Sequence, residues 1–194
     1  MRVASPMTTL VWLAALYTIV ALATDGDDLR IEKRDRAYLI RMSFEVPANT
    51  YQVRSVITDY RDPARLSSVV RKREIISREG GVVRVATEMR GCALFFCKTM
   101  KLVQDVVESE DSVRADVVPD GGDFRSGYLL WLIVGEESGR SRVVFEAVME
   151  PDFFVPPLIG GFLIRSTLEK QVKEIARNLA NEAVLEPSAP REHE

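Results

Sequence analysis

The sequence predicts an α+β fold: a curved seven-stranded antiparallel sheet wrapped around one long C-terminal helix, with two short helices between the first and second strands. Three observations carry that prediction. Period-two alternation of apolar and polar residues begins at Tyr38, and strand-like segments then follow one another from 69 to 151. The joints between those segments are short and rich in turn formers, so neighbouring strands should pair antiparallel. After Pro157 the apolar period becomes helical and stays so to Ala183.

Taken in order, Tyr38, Ile40, Met42, Phe44 and Val46 share one face of the first strand, and Arg41, Ser43 and Glu45 the other. Pro47 ends it. Asn49 or Thr50 can cap a helix in which Val53, Val56, Ile57 and Tyr60 repeat at helical spacing. Asp62-Pro63 breaks that helix, and a second helical turn is expected around Ala64–Ser67. Strands are then expected at Val69–Arg78, Val82–Cys92, Cys97–Glu108, Ser112–Val118, Arg125–Val134 and Arg142–Pro151. The joints are Glu79-Gly80-Gly81, 108–111, Pro119-Asp120-Gly121-Gly122 and 136–139. In the segment Val82–Cys92, Val83, Val85, Thr87 and Met89 oppose Arg84, Glu88 and Arg90. In the last strand Val143, Phe145, Ala147 and Met149 oppose Arg142, Glu146 and Glu150. A sheet with one dry face must cover something. The cover is the stripe Leu158, Phe162, Leu168, Val172, Ile175, Leu179 and Ala183, on a helix about 40 Å long that Pro157 suits at its first turn.

The ends read differently. Residues 1–23, MRVASPMTTLVWLAALYTIVALA, carry Arg2, then an apolar run, then Ala21-Leu22-Ala23. That is the pattern of a signal peptide cleaved after Ala23. The run is short for a membrane span, but 8–23 left uncleaved would tether the chain to the inner membrane. Either way the folded part is expected in the periplasm or otherwise exported. Residues 24–36 read as a polar lead-in with room for a short strand at Leu29–Glu32, 37–183 as the domain, and 184–194, with Pro187 and Pro190, as a disordered tail.

Composition narrows the chemistry. Of 194 residues 46% are hydrophobic and 28% charged, which suits one globular core. The formal charge of −3 excludes nucleic acid as the expected partner. The single histidine, His193, is one residue from the end, which removes Ser-His-Asp triads, Cys-His dyads and histidine zinc sites. No catalytic residue, metal site or cofactor is predicted. Asp59-Tyr60 offers an acid and a phenol, but packing and capping are the more ordinary roles at a helix end. The basic run Arg61, Arg65, Arg71, Lys72, Arg73 and Arg78 reads as a solvated face, with anionic lipid headgroups as the sharper option. The only two cysteines bracket GCALFFC, 91–97. In an oxidising compartment Cys92 and Cys97 pair by default; two unpaired, partly buried thiols are the other reading.

Two stretches, FEVPANTYQVRSVITDYRDPARL (44–66) and VVFEAVMEPDFFVPPLIGGFLIRSTLEKQVKEIARNLA (143–180), resemble the helix-grip superfamily. It includes START lipid-transfer domains, pollen-allergen proteins, polyketide cyclases and coenzyme Q-binding proteins, and the resemblance, over about 37–183, is to its exported bacterial branch. It implies an apolar cavity between sheet and last helix, with no chemistry common to all members. Met42, Met89, Met100, Trp131 and Met149 then read as cavity lining, or else as plain core. The resemblance also puts the turn Leu94-Phe95-Phe96 at the cavity mouth, opposite the corner with Phe153, Phe154, Leu158 and Ile159; Phe162, on the helix stripe, is a further expected ligand contact. These groups either plug the barrel end, form a greasy rim for a lipid or a transient membrane contact, or meet a second copy. Gly160-Gly161 serves close packing or a hinge. The expected role is an exported protein that holds a lipid, quinone or sterol-like molecule, and not an enzyme. A cyclase or aromatase, and an interaction module with a filled core, are the alternatives.

Overall fold

The computed structural model describes residues 28–93, 96–154 and 161–188. Local chemistry sets each element. β1 (Asp28–Arg34) and β2 (Ala37–Val46) form a hairpin whose turn holds Asp35 at φ 52°. α1 (Thr50–Ile57) starts in a capping box: Asn49 accepts from the Gln52 backbone N–H at 3.0 Å, and the Gln52 side chain accepts from the Asn49 N–H at 3.1 Å. The second helical turn is a 3-10 turn, Pro63–Arg65, capped by Asp62. Then follow β3 (Val70–Glu79), β4 (Val82–Ala93), β5 (Phe96–Glu108), β6 (Ser112–Val117), β7 (Phe124–Gly135), β8 (Ser141–Pro151) and α2 (Gly161–Ala183). Gly80 and Gly81, both at positive φ, make the tight β3–β4 turn.

All eight strands are antiparallel, in the order β1-β2-β8-β7-β6-β5-β4-β3. The segment through α1 carries the chain from one side of the sheet to the far edge, and β8 returns to lie beside β2. α2 lies across the inner face, against α1, β1, β2 and β4. Met42, Val46, Val53, Ile133, Val143, Leu179 and Ala183 are the most deeply buried apolar side chains. Among the described residues no helix is long and apolar enough to cross a membrane.

Two expectations about the ends need correction. The sheet has eight strands, not seven, because most of the polar lead-in is β1. Leu29 and Ile31 are its only apolar residues, and they suffice because β1 is an edge strand that pairs with β2 over its whole length. The first part of the tail is also ordered. The Gln52 amide donates to the Glu186 carbonyl at 2.7 Å and the Asn49 amide to that of Ser188 at 2.9 Å. Arg65 bonds Glu182 and Glu186, each at 2.9 Å, and Asp59 at 3.1 Å. Residues 1–27, which include the expected signal segment, and residues 189–194 lie outside the described residues.

Candidate functional site

Between the inner sheet face and the first half of α2 lies a cavity of about 380 Å³. Its walls are Tyr38 and Ile40 of β2, Met89 and Gly91 of β4, Met100 and Leu102 of β5, Leu129 and Trp131 of β7, Phe145, Ala147 and Met149 of β8, and Leu168, Val172 and Ile175 of α2. Each strand sends alternate residues inward, so one face of the sheet supplies a nearly continuous apolar wall. Trp131 leans on Phe145 with ring centroids 4.5 Å apart. At the mouth Phe153 meets Phe124 edge to face at 6.2 Å, with the Lys98 ammonium 4.7 Å from the Phe153 ring centre. Lys98 is also paired with Asp123 at 2.9 Å. Gly91 makes room at this end: a Cβ there would stand 3.2 Å from the Met100 methyl.

Of the residues expected to line a cavity, Met89, Met100, Trp131, Met149 and Phe153 do so. Met42 does not line it; it is wholly buried in the core, because alternation assigns a face but not a position along it. Phe154 is 75% exposed and lies beside a separate surface depression with Lys33, Asp35 and Arg36. Phe96 opens β5 and Phe162 is the second residue of α2. Leu94, Phe95, Leu158, Ile159 and Gly160 lie outside the described residues. Cys92 and Cys97 face each other across β4 and β5 and are joined by a disulfide. The bond is exposed, and Cys92 reaches the cavity mouth.

The cavity also has polar groups that the sequence did not mark as a site. Ser67 is buried, at 4% exposure, and its hydroxyl has no hydrogen-bond partner among the described residues. Thr87 and Gln104 are buried on the wall, and the Gln104 amide donates to the Ala115 carbonyl at 3.3 Å. Arg73 lines the cavity as well, although the basic run read as a solvated face. A bulge explains it. The register shifts between Val70 and Lys72, so Val70 opposes Met89, Lys72 opposes Glu88 and Arg73 opposes Thr87. The extra residue, Arg71, reverses the alternation and turns Arg73 inward. Burial lowers the pKa of its guanidinium, which nevertheless stays charged at physiological pH. Elsewhere in the run, Arg61 pairs with Asp59 and Lys72 with Glu74.

Tyr38 is on the cavity wall, but the other two phenols that might have done chemistry are engaged elsewhere. Tyr60 does not line the cavity; it donates to Glu108 at 2.8 Å, and burial, with that bond, raises its pKa. Tyr128 donates to Glu146. Among the described residues no group of three or more His, Cys, Asp or Glu could hold a metal ion.

Residues 39–184 match the family model described as polyketide cyclase/dehydrase and lipid transport. No curated protein matches the sequence. Solved structures share the fold. The Zhui aromatase/cyclase from Streptomyces sp. R1128 superposes with a TM-score of 0.63 at 11% identity, covering 76% of this chain and 94% of that one. TTHA0849 from Thermus thermophilus gives 0.61 at 19% identity, over 76% and 97%. Human STARD10 gives 0.60 at 11% identity, over 82% and 75%.

Proposed function

The chain belongs to the polyketide cyclase/dehydrase and lipid transport family, and from that premise we propose that it is an exported carrier of a hydrophobic small molecule, a lipid, quinone or sterol-like compound. The observation that carries this reading is the apolar cavity of about 380 Å³ between sheet and α2. That volume is in the range of small-molecule sites. Each methylene buried there contributes about 0.8 kcal/mol, so a chain of several methylenes gains affinity without chemistry. Export rests on the pattern of residues 1–23, and the disulfide suits an oxidising compartment. A carrier is favoured over a cyclase or aromatase because Tyr60 and Tyr128 are both bonded to carboxylates away from the cavity, and Tyr38 on its wall has no acid or base bonded to it among the described residues.

The test is solvent extraction of protein purified from the periplasmic fraction, followed by mass spectrometry. A stoichiometric apolar compound is expected. A reproducibly empty protein that takes up no lipid would sink the reading. Turnover of a polyketide substrate that disappears on replacing a cavity side chain would favour the enzyme instead.

A further inference from the structure

Two cationic side chains line the cavity among the described residues, and they are treated differently by the fold. Lys98, at the mouth, has Asp123 as its counter-ion. Arg73 forms no ion pair and no hydrogen bond among the described residues; its electrostatic neighbour is the Tyr60 phenol, whose hydroxyl donates a hydrogen bond to Glu108. Holding a half-buried charge without a counter-ion costs free energy, and a stability cost of that kind is a recurrent mark of a functional site. A bulge is spent on aiming it inward. Ser67, buried with an unpartnered hydroxyl, lines the same cavity, as do Thr87, directly opposite Arg73, and Gln104.

We propose that the cavity takes an amphiphilic monocarboxylic acid, its carboxylate held inside by Arg73 and Ser67 and its apolar body along Met89, Met100, Trp131 and Met149 toward Phe153. This rests on the carrier reading above and names its ligand class. The planar guanidinium offers a carboxylate two parallel N–H donors, and the Ser67 hydroxyl offers a third. One unpaired cation balances one negative charge, which favours a carboxylate over a phosphate dianion. Thr87 is four residues from Gly91 along β4, about 13 Å at 3.3 Å per residue. The acid would therefore enter head first and leave its tail at the mouth.

The experiment is calorimetric titration of the delipidated full chain with dodecanoate, dodecanol and dodecanoyl lysophosphatidate. Dodecanoate should bind at least about 10-fold tighter than dodecanol, as expected for hydrogen bonds to a charged group. Arg73→Met should weaken dodecanoate about 10- to 100-fold, leave dodecanol unchanged and raise the melting temperature of the unliganded protein. Arg73→Lys should recover part of the loss, and Ser67→Ala should cost dodecanoate less than about 10-fold. Equal binding of acid and alcohol by the unmodified protein, or an Arg73→Met variant that binds the acid as before, overturns the inference but leaves the cavity reading standing. Lysophosphatidate binding tighter than dodecanoate overturns the carboxylate assignment. If neither acid nor alcohol binds, the carrier reading fails and this one with it. Should Arg73→Met not fold, Arg73→Lys and Ser67→Ala carry the same test.

Discussion

The two ends of the space beneath the sheet are built from different side chains on the same strands. β4 carries Val83 and Val85 at the closed end and Met89 with Gly91 toward the cavity; β5 carries Val106 and then Met100; β8 carries Val143 and then Met149. The helix repeats the division: Leu179 and Ala183 are wholly buried, while Leu168 and Ile175 are half-buried on the cavity wall. β-Branched side chains have few rotamers and fill fixed space. Methionine has three rotatable bonds and a polarisable sulfur, so it can repack around a guest. One end is built to hold the helix on the sheet and the other is left adaptable, so stability and binding should be separable by mutation.

The largest break should come at the closed end. Leu179→Ala removes a wholly buried side chain where helix and sheet meet and should cost about 2–5 kcal/mol in urea unfolding, with ligand affinity unchanged in the fraction that stays folded. A Leu179→Ala protein as stable as the parent would mean that the closed end is not the anchor. Next is the staple at the open end. In the chain-entropy model, replacing Cys92 and Cys97 by serine should lower stability by about 2 kcal/mol, and the same shift should appear on reducing the parent protein.

A smaller effect belongs to the ion network at the closed end, where Arg65 meets Asp59, Glu182 and Glu186. The network is partly exposed, so Arg65→Met should cost about 1 kcal/mol at neutral pH. The bond from Arg61, with a further one from Arg65, holds the Asp59 carboxyl below its usual pKa. A depressed folded pKa gives stability that is present above the unfolded value of about 4 and is lost as pH falls through the folded one. Melting curves from pH 7 to pH 2 should therefore fall less steeply below pH 4 for Arg65→Met than for the parent; parallel curves would exclude this linkage. The smallest stability effect should be Met89→Ala, under about 1 kcal/mol, because its side chain already borders open space and little new cavity is made. Its ligand affinity should fall all the same, the reverse of Leu179→Ala.

Much of the fold was legible because its cause is local. The segment read as Val82–Cys92 is the strand Val82–Ala93, and the one read as Arg142–Pro151 is Ser141–Pro151. Alternation and turn chemistry act between near neighbours, so they can be read without the rest of the molecule. Four of the expected lining residues, Met89, Met100, Trp131 and Met149, lie on strands and face the cavity because an inward face follows from parity; Phe153 lies just beyond β8. Met42 shares that parity yet lies in the packed core, since depth depends on what stands opposite. β1 was legible only as room for a short strand at Leu29–Glu32, and not as a member of the sheet, because its pairing energy comes from β2 rather than from its own composition. Residues 184–188 read as a disordered tail because the donors that hold them, Asn49 and Gln52, are more than a hundred positions away.

By itself, then, the sequence determined the order of most strands and helices, the dry faces of β2, β4, β8 and α2, and the cysteine pair able to close the hairpin, all of which follow from periodicity and short-range chemistry. Only the tertiary structure decided how far the helix and sheet meet and which charges face inward. Arg73 shows the reason. One extra residue in β3 inverts its side of the sheet, and the position of that bulge is set by pairing with β4, an interaction between strands that no single segment encodes.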